Sequence, residues 1–160
     1  MRRSPLLACV LVLALALAAP ALAGRATPTR ALFIWPANGT ISSPFGPRGG
    51  GFHPGIDIGM LRSLAVRGAF RGTVVATGYT TGYEGYGNIV VVDSSGDGNG
   101  GMVEIYAHLS RVAVTIGDTI EAGDPIGTAG CTGSCSGTHL HFEVRLSGKA
   151  IDPLPFLTGD

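Results

Sequence analysis

From Ile41 onward, hydrophobic and polar residues alternate in short bursts broken by glycine, and the repeating pattern is strand, turn, strand. Gly72–Gly78 is one β-rich run bounded by glycines. Asn88–Asp93 and Met102–Leu109 flank the turn-forming stretch Ser94–Gly101, which predicts a long antiparallel hairpin. Thr138–Leu146 alternates well, and Pro125–Ala129 is a shorter candidate. No window of about 12 residues beyond Gly24 carries a helical stripe; one helical turn is expected near Pro153–Leu157. No internal repeat is visible. The expected fold is a single all-β domain of antiparallel strands, forming a twisted sheet or sandwich with a groove.

One segment breaks this pattern. Leu6–Ala19 is continuously apolar, follows Arg2 and Arg3, and runs into Ala21-Leu22-Ala23. A short basic region, an apolar core and a small-residue end describe a secretory signal peptide cut after Ala23. The run is shorter than the ~20 residues a spanning helix needs, and Cys9 lies inside it instead of after it, which disfavours a lipid anchor. The expected organisation is therefore a signal peptide (1–23), a short leader (24–34) and one domain (35–158), secreted or periplasmic, with no membrane span after cleavage.

Composition fits that picture. All 26 glycines lie beyond residue 23 and suit tight turns. Without Arg2 and Arg3, 9 of the 11 basic residues face 11 acids, a net charge of −2. That excludes a polybasic nucleic-acid binder, and a monomer is expected. Cys131 and Cys135 have three residues between them in a Gly/Ser-rich loop of a chain expected to be exported, which favours a disulfide over two free thiols or a metal pair.

The chain has four histidines, all beyond the signal segment. In His53-Pro54-Gly55-Ile56-Asp57, Pro54 and Gly55 argue against a helix, so a turn would bring imidazole and carboxylate together. Both are ordinary zinc ligands, but a surface histidine beside a turn-capping aspartate reads equally well. His139-Leu140-His141-Phe142-Glu143 says more. Strand alternation puts His139, His141 and Glu143 on one face, lining a cleft, and Leu140 and Phe142 on the other, in the core. His108, in Tyr106-Ala107-His108-Leu109, ends a predicted strand and alone reads as structural.

Together these segments resemble one family. Ser43-Pro44-Phe45-Gly46-Pro47-Arg48, His53–Asp57, Tyr106-Ala107-His108 and Gly137–Glu143 follow, in order, the motifs of the LytM/lysostaphin-type zinc metallopeptidases, from about Trp35 to Leu157. The resemblance implies one Zn2+ per chain held by His53, Asp57 and His141, with His139 and His108 as catalytic, non-ligand histidines. It further implies an endopeptidase that hydrolyses peptidoglycan peptides through a zinc-activated water. His139 is assigned the base role and His108 the stabilising role, and the two are interchangeable at this stage.

Two stretches depart from the family pattern: the Cys131–Cys135 loop ahead of His139, and the hairpin tip, where Asp93, Ser95, Asp97, Gly98 and Glu104 approach the spacing of a calcium loop. Strand-like flanks favour a plain turn there. The alternative function is a non-catalytic wall-binding or hydrolase-regulating protein on the same fold; such relatives tend to lose ligand or catalytic histidines, and this chain retains all of them. A cofactor-carrier reading of Val114–Asp124 fails, because the only lysine, Lys149, lies near the C-terminus.

Overall fold

The structure is a computed structural model that describes residues 33–97 and 101–157. The expected signal segment lies outside the described residues. Twelve strands follow in chain order: β1 (Thr40–Ser43), β2 (Gly46–Arg48), β3 (Gly51–His53), β4 (Ile56–Gly59), β5 (Ala65–Arg67), β6 (Gly72–Gly78), β7 (Asn88–Asp93), β8 (Met102–Val112), β9 (Thr119–Ile120), β10 (Pro125–Ala129), β11 (Leu140–Leu146) and β12 (Lys149–Ile151). Among the described residues helix is confined to two single 3-10 turns, Ser95–Asp97 and Leu154–Phe156, the second where a helical turn was expected. The all-β expectation holds.

Ten strands form one sheet, with the path β1-β4-β11-β8-β7-β6-β9, β10 bridging β5 and β8, and β12 on β11; β2 and β3 form a separate hairpin. All strand pairs are antiparallel. The expected hairpin is β7–β8, although β8 runs on to Val112 because its far end finds a second partner in β10. β11 begins at Leu140, two residues later than expected, since His139 makes only an isolated bridge to Gly130. The packed body also starts earlier than Trp35: Phe33 is fully buried, and its N–H donates to Phe156 O at 2.8 Å.

Period-two alternation divides the sheet's side chains between two faces. One face carries the main core, including Ile56, Ile58, Val90, Val92, Tyr106, Leu109, Leu140, Phe142 and Val144. The other carries a smaller apolar cluster, Ile89, Val91, Ile105 and Ala107, against which Tyr83 and Tyr86 pack. Asp57, His141 and Ala107 are cross-strand partners in adjacent β4, β11 and β8, so Asp57 and His141 project side by side from this second face.

β8 departs from strict alternation at one point. Tyr106 and Leu109 both enter the main core although three positions separate them. The extra residue is accommodated at His108, which has φ 61°, a left-handed conformation uncommon for a side-chain-bearing residue. Pairing registers shift nearby in both neighbours, between Asn88 and Val90 in β7 and between Thr128 and Ala129 in β10. This is a β-bulge, and it lets His108 join the second face beside Ala107.

Candidate metal centre

The five expected site residues converge. His53 ends the β2–β3 hairpin, Asp57 lies on β4, His141 on β11, His108 at the bulge of β8, and His139 just before β11. His53 Nε2, Asp57 Oδ1 and His141 Nδ1 lie 2.9–3.1 Å from one another. They are the three ligand atoms of the one His/Asp/Cys/Glu group able to hold a metal ion among the described residues.

Hydrogen bonding on the far side of each ring decides what these atoms present to one another. His53 Nδ1 is 2.8 Å from Pro44 O, a group that only accepts, so Nδ1 carries the proton and Nε2 is left with a lone pair. His141 Nε2 is 3.0 Å from Glu143 Oε1 and donates to it, leaving a lone pair on Nδ1. Asp57 Oδ1 only accepts. Three acceptors facing one another at about 3 Å repel unless a cation stands between them, and tetrahedral zinc with nitrogen and oxygen ligands at about 2.0 Å sets them about 3.3 Å apart. The donor set therefore fits a zinc ion.

The electrostatics agree. Burial works against the Asp57 carboxylate, but the His141 hydrogen bond and the positive potential of His141, His53 and His139 outweigh it, and its pKa falls to about 2. Burial likewise opposes a charged His141, yet Asp57 and Glu143 on either side hold its pKa above the ordinary value. Both directions describe a pocket that calls for positive charge.

A second layer of residues escaped the sequence reading. Glu143, expected to face the cleft, is instead fully buried behind His141. Its carboxylate accepts from Tyr86 OH and from Arg145 Nε and Nη2, both at 2.8 Å. Burial alone would raise the Glu143 pKa; the bonds from His141 and Tyr86 and the Arg145 charge lower it instead. Such a carboxylate fixes the tautomer and orientation of a ligating imidazole. Arg145 also lies over the Tyr83 ring. Tyr86 projects from Gly85-Tyr86-Gly87, where the flanking glycines were the available signal. Arg48 donates to Ser43 Oγ at 2.7 Å and to Asp57 Oδ2 at 3.4 Å, so the two oxygens of Asp57 have different partners.

His108 and His139 stand beside the ligand atoms with rings 4.7 Å apart. His108 Nδ1 donates to Thr132 O at 2.8 Å and His139 Nδ1 to Gly137 O at 2.7 Å. Each thus turns a free Nε2 inward; that of His139 is 3.6 Å from Asp57 Oδ1. Burial lowers the His108 pKa, more than the Thr132 carbonyl raises it, and His139 and His141 lower it further. A neutral imidazole is therefore the form His108 holds near pH 7.

All five residues line a cleft of about 360 Å³ together with Arg48, Glu84, Tyr86, Ser134 and Ser136. A second depression, lined by Ser42, Ser43, Met60 and Thr138, shares Arg48, Asp57 and His139 with it. The two depressions therefore adjoin at the site.

A sequence model of peptidase family M23 matches residues 51–153, which include all five site residues. The chain belongs to peptidase family M23. It is 35% identical over 125 residues to the lipoprotein YgeR of Escherichia coli K12, covering 78% of this chain and 47% of that protein. It is 36% identical over 123 residues to the murein hydrolase activator NlpD of the same strain, covering 77% and 30%. The chain thus spans less than half the length of these curated relatives. Its fold superposes on the catalytic domain of the antimicrobial peptidase lysostaphin from Staphylococcus simulans with a TM-score of 0.64 and 34% identity, over 73% of this chain and 90% of that one.

The hairpin tip is a plain turn at its described positions: Asp93 Oδ1 accepts the Ser95 N–H at 2.8 Å, and Glu104 points into the core, accepting from Ser94 and Tyr106. Cys131 and Cys135 form the expected disulfide, with Cα atoms 5.3 Å apart.

Proposed function

We propose that this chain is a zinc-dependent endopeptidase acting on the peptides of bacterial peptidoglycan, outside the cytoplasm. The observation that carries the reading is the trio of inward lone pairs on His53, Asp57 and His141 beside two further imidazoles with free Nε2 atoms. Zinc held by the trio would supply Lewis acidity, acidifying a water and polarising the scissile carbonyl. His108 and His139 would move the protons. The depressed pKa of His108 suits a proton acceptor, which favours exchanging the two roles assigned from the sequence. The adjoining depressions suit an internal bond, because they leave room for peptide beyond the cleft that holds the five residues. Similarity to the lipoprotein YgeR and to NlpD supports a place outside the cytoplasm.

A second reading, activation of another murein hydrolase, is favoured by the likeness to NlpD. An activator needs the shape of the groove but not converging lone pairs held by buried Glu143, and that is why the enzyme is preferred. The test is purified protein on peptidoglycans of several cross-link types, with released fragments identified by mass spectrometry. The enzyme should carry about one zinc per chain, lose hydrolysis to a chelator and regain it with zinc. Full activity without metal would overturn the assignment. No activity alone, with acceleration of a second hydrolase, would establish the activator instead.

A further inference from the structure

Between Gly130 and Leu140 the chain lies in no strand, yet this stretch forms a wall of the cleft and touches the catalytic face at three places. Thr132 O accepts the Nδ1 proton of His108 at 2.8 Å, the bond that turns the His108 Nε2 inward. Thr132 Oγ1 accepts from Asn88 N at 3.0 Å and donates to Leu109 O at 2.9 Å, and Ser134 N donates to Gly85 O at 2.7 Å. This clips the loop to the segment that carries Tyr86. The fit there leaves no room: a Cβ on Gly87 would come within 2.4 Å of the Thr132 backbone, and one on Gly133 within 2.4 Å of Gly85 O. At the far end, Cys135 Sγ lies 3.8 Å from His139 Nδ1. No sheet ladder holds these residues; the Cys131–Cys135 bond closes them covalently.

We propose that this disulfide is a positioning pair for the reaction: it holds the Thr132 carbonyl against His108, and hydrolysis depends on its oxidised state. The inference rests on the peptidase reading. Reduction by a dithiol transfers two electrons: one thiolate attacks a cysteine sulfur and its partner then resolves the mixed disulfide. Cys131 and Cys135 each end as a thiol with one proton, and the reductant ends as a disulfide. Opening leaves residues 131–135 held only by the noncovalent clips to Gly85, Asn88 and Leu109, and in that looser loop the Thr132 carbonyl exchanges His108 for water. The metal should stay, because His53 is oriented by Pro44 and His141 by Glu143, both outside the loop.

The test compares zinc-loaded protein before and after treatment with a water-soluble phosphine. The phosphine becomes its oxide with oxygen from water, whose two protons go to the thiols, and no thiol reagent competes for zinc. Zinc content, kcat and KM on wall fragments, and the imidazole 15N–1H spectrum are recorded together. Oxidised protein should show a protected Nδ1–H for His108. Reduced protein should keep its zinc, lose that signal and lose kcat by at least about tenfold, a part of what general acid–base help contributes. KM should change little, and reoxidation should restore all three. A Cys131→Ser/Cys135→Ser variant should match the reduced protein and ignore the phosphine. An unchanged His108 signal after complete reduction would overturn the proposal whatever the turnover, and so would loss of zinc. An oxidised protein with the His108 signal and no hydrolysis would sink the peptidase reading and this proposal with it, whereas unchanged hydrolysis after reduction would sink this proposal alone.

Discussion

Glu104 and Glu143 sit on neighbouring strands, one register step apart, and both are 0% exposed. On the main-core face, burial raises the Glu104 pKa to about 7, because the hydroxyls of Tyr106 and Ser94 and the backbone N–H groups of Phe70 and Ala69 oppose burial only in part. On the second face burial acts the same way, yet the Glu143 pKa falls, because His141 and Arg145 bring positive charge to it. Two carboxyls without exposed surface thus shift in opposite directions: Glu104 lies deeper and meets only neutral donors, whereas Glu143 meets positive charge. The main-core face tolerates a carboxyl group that is easily neutral. The second face maintains an ion, and that ion orients the His141 imidazole.

The comparison can be broken from the site outward. His141→Ala should have the largest effect, removing a ligand and the positive partner of Glu143 together, with zinc and hydrolysis both lost. His108→Ala and His139→Ala should instead keep near-stoichiometric zinc while turnover falls by ~100- to 10,000-fold. Zinc content measured beside turnover separates the two classes, since misfolding would strip metal from all three. If His139→Ala releases zinc as readily as His141→Ala, the ligand set is wrong.

Glu143→Ala comes next. It leaves Arg145 without its carboxylate, a change that costs about 3–5 kcal/mol for a buried pair, toward the low end here because Arg145 is partly exposed. Zinc affinity should drop ~10- to 100-fold as His141 loses its orientation. Denaturant unfolding and chelator competition measure the two effects, and unchanged affinity would reduce Glu143 to a structural role.

Glu104→Gln should have the smallest effect, visible only against pH. The native state binds the Glu104 proton more tightly than the unfolded state does. Stability from this group is therefore complete below about pH 4.5 and is lost as pH rises through about 7. The variant should flatten that decline and be the more stable protein at pH 8, by on the order of 1–3 kcal/mol. Parallel pH curves for the two proteins would show that Glu104 ionises in the core without penalty.

Much of this was legible in the sequence, and what was not shares a cause. β6, β7, β10 and most of β8 announce themselves as β-rich runs of five residues or more between turn residues, and β11 by its alternation. β2, β3, β5, β9 and β12 are two or three residues long, too short to display a period. His53, Asp57 and His141 were singled out by motif order, and the structure brings their ligand atoms together. Their orienting groups could not: Pro44, Thr132 and Gly137 act through main-chain carbonyls, which every residue possesses. Glu143 was placed on the right face but taken for cleft lining, because a strand pattern gives side and not depth. Arg145, which settles the matter, sits two residues further along the same strand.

The irregularity at His108 gives β8 a parity. Before it, even-numbered residues such as Tyr106 enter the core; after it, Leu109 does. Losing the extra residue would restore plain alternation, with Tyr106 and Leu109 still on the core face, but it would take His108 off the second face. The position that breaks the count belongs to a residue of the proposed reaction, so the strand's arithmetic and the chemistry it carries are bound to change together.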